Sequence, residues 1–155
     1  MRLCITGHRP NKLFGYDIHS NDYTNLRNKL DYILENSQPE LTFTGMALGI
    51  DQIFAEECIK LHIPFVACVP FKGQENVWNQ ASKELYYSLL NCASDVVIVS
   101  DGGYSAHKLQ IRNEYMVNSS DYVLAVWNRT SGGTANCVNY ANQQHKPVVI
   151  INPYE

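Results

Sequence analysis

The 155-residue sequence contains no apolar run of the roughly 18 residues that a membrane-spanning helix needs, so a helical membrane protein is excluded. It also lacks a basic cluster, since its 12 Lys and Arg are scattered and the net charge is -3. Without a general positive field the chain is poorly matched to a phosphate backbone, and nucleic acid is not expected as the main partner. Its five cysteines, Cys4, Cys58, Cys68, Cys92 and Cys137, are odd in number and widely spaced, which argues against a disulfide framework and a zinc site. Cys58 and His62 lie four apart on a helical stretch, but no third ligand accompanies them. No metal and no cofactor are therefore expected. The opening MRLCITGHRP has none of the basic stretch, long apolar core and small-residue cleavage site of a secretory signal, so a cytoplasmic location is the expectation. Repeats, low-complexity tracts and Pro/Gly/Ser-rich linkers are absent, and residues 1–155 are read as one domain. Neither G-x-G-x-x-G nor G-x-x-x-x-G-K-[ST] occurs, which removes the usual dinucleotide fingerprint and the ATP-hydrolysing P-loop. No Ser-His-Asp or paired-carboxylate pattern can be read from spacing.

What the sequence does contain is an alternation of short β-branched runs with amphipathic helical stretches. A domain of this length buries roughly 70% of the surface its unfolded chain exposes, enough for a core without staples. Six strands are predicted, at Leu3–Thr6, Leu41–Thr44, Phe65–Val69, Val96–Ser100, Tyr122–Trp127 and Val148–Ile151. Continuous runs such as Val96, Val97, Ile98 and Val99 predict strands covered on both faces. Between them Tyr23, Leu26, Leu30, Ile33 and Leu34, then Ile50, Ile53, Phe54, Cys58 and Leu61, then Trp78, Ala81, Leu85, Leu89 and Cys92 recur at helical spacing. Further helices are predicted to start near His107 and near Gly133. The expected fold is a three-layer Rossmann-like α/β domain with a mostly parallel sheet of about six strands. The stretch from Gly7 to Asn21 is the one long irregular connection, a length at which loops are often functional.

In such a sheet ligands bind beyond the carboxyl ends of the strands, where helix N-termini present free N–H groups. The unusual residues fall there: Thr6-Gly7-His8-Arg9-Pro10, Gly45-Met46-Ala47-Leu48-Gly49-Ile50-Asp51 and Ser131-Gly132-Gly133-Thr134. Each loop alone is also ordinary turn and capping chemistry, and the joint placement is what favours a single crevice. Asp51 is either a first-turn helix acid or an acceptor for ribose hydroxyls. Arg112 is either a surface arginine paired with a carboxylate, the favoured reading for an isolated position, or a phosphate clamp. His8 and Arg9, directly after the first strand, are read as ligand-facing. Phe71, Tyr104 and Trp127 stand at strand ends where a base could stack, although Trp127, like Trp78, is better read as core.

Taken in order, these segments resemble the SLOG superfamily of Rossmann-like proteins, which includes DprA and the LOG phosphoribohydrolases, and most of all its small YpsA-like branch. The residues that carry the resemblance are Thr6–Pro10, Thr44–Asp51, Val69-Pro70-Phe71 with Gln74 and Trp78, Arg112–Met116 and Gly132-Gly133-Thr134. The resemblance implies recognition of a nucleotide or nucleotide-derived ligand such as an ADP-ribose-type molecule, with the glycine loops taking phosphate. The ligand-binding set it marks comprises Thr6, Gly7, His8, Arg9, Gly45, Met46, Gly49, Asp51, Arg112, Gly132, Gly133 and Thr134. LOG enzymes carry a Glu three positions after the loop Thr to cleave an N-glycosidic bond, whereas that position is Cys137 here. Binding, as a sensor or a sponge, is therefore expected over LOG-type hydrolysis. The alternative is a nucleoside-phosphate N-glycosidase using Arg112, Asp51 or Glu114, with Glu75 as a further carboxylate. A DNA-associated regulator is the third reading, and a homo-oligomer is expected.

Overall fold

The computed structural model describes residues 1–155. Six strands, β1 (Arg2–Gly7), β2 (Leu41–Thr44), β3 (Phe65–Val69), β4 (Asp95–Ile98), β5 (Tyr122–Val126) and β6 (Val148–Ile151), alternate with five helices. These are α1 (Thr24–Ser37), α2 (Ile50–Lys60), α3 (Gln80–Cys92), α4 (Ala106–Asn118) and α5 (Gly133–Gln143). All strand pairs are parallel, in the order β4-β3-β2-β1-β5-β6. The fold is thus the expected three-layer Rossmann-like one. No helix is long and apolar enough to cross a membrane.

Right-handed crossovers divide the helices by direction of travel. From β1 the chain steps outward through β2, β3 and β4, which puts α1, α2 and α3 on one face. It then returns to β5 beside β1, which puts α4 and α5 on the other. The two faces carry separate apolar cores. Leu3 and Ile5 of β1 point into the core with Leu30, Ile53 and Phe54, while Cys4 points the opposite way, to Met116, Val123 and Cys137. This alternation is the period-2 geometry of a strand covered on both sides.

Helix ends follow local chemistry. Asn79 caps α3, its Oδ1 accepting the Ser82 N–H at 2.8 Å. α1 stops at Gln38, which adopts a left-handed conformation with φ of 42° and donates its N–H to Leu34 O, and Pro39 follows. Trp78 lies outside its expected helix, in extended backbone ahead of α3, and packs edge-on against Tyr86 at 5.3 Å. The reason is that Asn79 starts α3 one residue beyond Trp78. A second departure concerns β4. Its β-branched run predicts burial on both faces, yet Val96 and Ile98 are 43% and 53% exposed. The run lies at the sheet edge, where only β3 pairs with it.

The long connection after β1 is tied down rather than loose. It contains a 3-10 turn at Pro10–Lys12 and meets α1 through a second at Asn21–Tyr23. Buried Tyr23 donates its hydroxyl to Gly15 O at 2.5 Å and accepts the Phe14 N–H at 3.2 Å. Arg27 of α1 donates to Ile18 O in this loop and to Glu56 and Glu57 of α2, each at 2.9 Å.

At the end of β1 the backbone meets α2 closely. A Cβ on Gly7 would fall 2.5 Å from Ile50 Cγ2, so the residue is required by space. Gly7→Ala is expected to cost about 1–3 kcal/mol of stability by overpacking. Combined with Ile50→Ala, itself worth about 2–5 kcal/mol, it should cost less than the sum. Urea unfolding of the two single variants and the double variant measures this; strict additivity would contradict the contact.

Candidate functional site

The strand order reverses direction between β1 and β5, the point where an open parallel sheet leaves a crevice at its carboxyl edge. Beyond Gly7 the chain turns towards α2, and beyond Val126 it turns towards α5, so their loops diverge. A cleft of about 240 Å³ opens there. Thr6, Gly7, His8 and Arg9 line it from β1, and Thr130, Ser131, Gly132, Gly133 and Thr134 from the approach to α5. Arg112, Asn113 and Met116 of α4 form its back, with Ala47 and Asp51 beside them.

Gly132, whose φ of 140° suits glycine, stands at the N-cap just before α5, and no side chain caps the first N–H groups of the helix. They remain available to an anion at the positive end of the helix dipole. Lys12 reaches across to this loop, donating to Ser131 O at 2.8 Å and Thr130 Oγ1 at 3.1 Å. Arg112 is 5% exposed. Its Nη1 donates to Gly45 O at 2.7 Å and Cys68 O at 3.4 Å, and its Nε to Asn113 Oδ1 at 3.2 Å. Nη2 has no protein partner. The residue is therefore neither a surface arginine nor fully consumed by structure.

Asp51 sits in the first turn of α2, and its Oδ2 accepts the Ala47 N–H at 3.2 Å. Burial raises its pKa above the ordinary carboxylate value, against the lowering effect of the Arg112 charge and the Ala47 hydrogen bond. Burial likewise lowers the pKa of Arg112, opposed by the charge of Asp51. The cleft thus has Arg9, Lys12 and Arg112 as cations and Asp51 as its single carboxylate, in a chain of net charge -3. Positive potential is concentrated locally, which total charge could not reveal.

Three of the nominated glycine-loop residues lie behind the cleft instead of facing it. Gly45 is the shelf on which the guanidinium rests, since a Cβ there would fall 2.4 Å from Arg112 Nη1. Its carbonyl also accepts from Gln74 Nε2 at 3.3 Å. Gly49 has φ of 93° and would place a Cβ 2.6 Å from His8 O, while Met46 is wholly buried. Glu114 is paired with Gln110 at 3.2 Å and Glu75 with the Tyr87 hydroxyl at 2.9 Å, neither lining the cleft. Cys137 lies in the core below α5, its thiol pushed by burial up to about 11. Cys58 is also wholly buried and His62 follows the end of α2. Phe71 is buried against Tyr104 at 5.8 Å, and the Trp127 indole N–H donates to Thr130 O. Sequence reasoning missed Lys12, Asn113 and Thr130. Lys12 stands three residues beyond Arg9 in the loop already singled out, a signal that was present, whereas the approach of Thr130 depends on the turn after β5.

The model of the YspA SLOG family matches residues 3–155. The chain belongs to that family. Among its relatives is the uncharacterised SPbeta prophage-derived protein YoqJ of Bacillus subtilis, 35% identical over 119 residues that cover 66% of this chain and 69% of YoqJ. The fold is similar to that of DprA, DNA processing protein A from Streptococcus pneumoniae, with a TM-score of 0.71 at 17% identity. That match covers 97% of this chain, which spans 50% of the DprA chain. A molybdenum cofactor binding protein from Rippkaea orientalis also matches, with a TM-score of 0.62 at 17% identity, covering 96% of this chain and 74% of that one. Similar folds thus occur in proteins named for a small-molecule ligand as well as for DNA processing.

His8 joins the two diverging loops: its Nε2 lies 2.7 Å from Asn128 Oδ1 and 3.1 Å from the Asn128 N. Burial lowers its pKa, and the Lys12 charge adds to this, against the Asn128 hydrogen bond. A lowered folded-state pKa contributes stability that is complete above the unfolded value of about 6.5 and is lost as pH falls through the folded value. The thermal midpoint of the protein should therefore fall between pH 7 and pH 5 by more than that of His8→Asn. Equal falls in the two proteins would exclude this role.

Proposed function

We propose that the cleft binds a nucleotide-derived small molecule of the ADP-ribose type through its phosphate. The observation that carries this reading is the unpartnered Arg112 Nη2 in the same cleft as the uncapped N-terminus of α5. A phosphate would accept from that nitrogen and from backbone N–H groups, with Lys12 supplying a further charge. The other Arg112 nitrogens are fixed by carbonyl groups, so the free edge is already oriented and little order is lost on binding. Similarity to a molybdenum cofactor binding protein supports a carrier or sensor role for this fold, and family membership supports a ligand at this edge.

A second reading is hydrolysis of an N-glycosidic bond. Asp51 favours it, because a buried carboxyl with a raised pKa is suited to general acid chemistry and is the only carboxylate in the cleft. The buried position of Cys137 supports binding over a LOG-type reaction.

Calorimetry with ADP-ribose, AMP, ribose 5-phosphate and a single-stranded oligonucleotide, followed by chromatography of each mixture, tests these readings together. The expected result is saturable binding of intact ADP-ribose, weakened about tenfold in Lys12→Met by loss of one charged contact, or about 1.4 kcal/mol. Release of free base would establish the second reading. Binding of the oligonucleotide alone would overturn both in favour of DNA.

A further inference from the structure

On the other side of the Pro10 turn runs a groove of about 390 Å³, walled by Tyr16, Leu48 and Leu85. It continues into an outer trough of about 510 Å³ that adds Val77 and Trp78. Arg9 and Asn11 line this trough and also the phosphate cleft, so cleft, trough and groove form one path across the carboxyl edge of the sheet. Tyr16 is 63% exposed, so most of its side chain is open to a ligand. Gln52 is an independent sign of an occupant. It lines the groove, is 2% exposed, and its Nε2 donor has no hydrogen-bond partner. Buried amide donors are nearly always paired, because leaving one unpaired forfeits its hydration.

We propose that this groove is a second subsite, which takes the planar heterocycle of an extended nucleotide whose phosphate lies in the cleft. The inference rests on the phosphate reading above and adds where the ring goes and what recognises it. Tyr16 and Trp78 offer stacking surfaces, and a half-turn of the Gln52 amide, which relieves its closed-off Nε2, lets it donate to an acceptor on the ring edge. Arg9, standing between the two sites, faces the phosphate or ribose that joins the ring to the bound phosphate. A ligand with a single short sugar phosphate fills only the cleft, whereas an ADP-ribose-type molecule fills both.

Titration of ADP-ribose and ribose 5-phosphate into the wild-type protein, Gln52→Leu, Tyr16→Ala and Lys12→Met separates the subsites. Gln52→Leu preserves the volume of a buried residue, and Tyr16→Ala alters only an exposed side chain, so the second remains informative if the first unfolds. The expected result is that both groove variants weaken ADP-ribose about tenfold and leave ribose 5-phosphate within twofold, while Lys12→Met weakens both ligands. Unchanged ADP-ribose affinity in both groove variants, with Lys12→Met still impaired, would overturn the subsite and leave the phosphate cleft standing. Failure of the wild-type protein to bind either ligand would overturn the phosphate reading and the groove assignment with it.

Discussion

A guanidinium held almost out of reach of water must have its N–H groups answered, and the way Arg112 is answered organises the carboxyl edge of this sheet. It takes carbonyl oxygens from the residue after β2 and from within β3, Gly45 and Cys68, and so fixes α4 over both strands. Desolvating a cation costs several kcal/mol unless such partners and a nearby opposite charge offset it. Asp51 provides that charge while also accepting a backbone N–H of its own loop. The absence of a side chain on Gly45 follows, because the guanidinium occupies the space a Cβ would take. Gly45 and Asp51, which look like parts of a glycine-rich ligand loop, thus serve first as the seat of one arginine.

This division of labour explains why the cleft is asymmetric. The β1 loop and the start of α5 present groups outward, whereas the β2 loop mostly supports them from behind. The β1 loop in turn is held by the Tyr23 hydroxyl, which bonds Phe14 and Gly15, and by Arg27, which donates to Ile18 O, and none of these residues lines the cleft. A connection that is irregular in backbone is therefore fixed in position. Similar folds at 17% identity are named for DNA processing and for molybdenum cofactor binding, which is expected if the sheet supplies only the edge and each chain its own lining.

Much of this was legible from residue order. Three strands match their predicted limits, and the others differ by one or two residues, because β-branched runs between turn residues specify strands locally. The helical stripes on α1 and α2 found their core for the same reason. Other features were not legible. Val96 to Val99 has the composition of a buried strand, and only the pairing order makes it an edge. Arg112 reads as polar and accessible beside Gln110, Asn113 and Glu114, and only the approach of Gly45 and Cys68 encloses it. Gln52 reads as an ordinary polar position one turn before Glu56 on α2, and only the tertiary packing buries it.

The sequence by itself determined the alternation of strands and helices, and hence a parallel sheet with its chemistry at the carboxyl edge. It did so because periodicity and turn chemistry act over a few residues. Tertiary structure alone decided which loops meet, which strand lies at the edge, and which nitrogen of Arg112 stays free. These depend on contacts between residues far apart in the chain, such as Gly45 with Arg112 and Lys12 with Ser131. No local pattern encodes a distance between two such positions until the crossovers have placed them side by side.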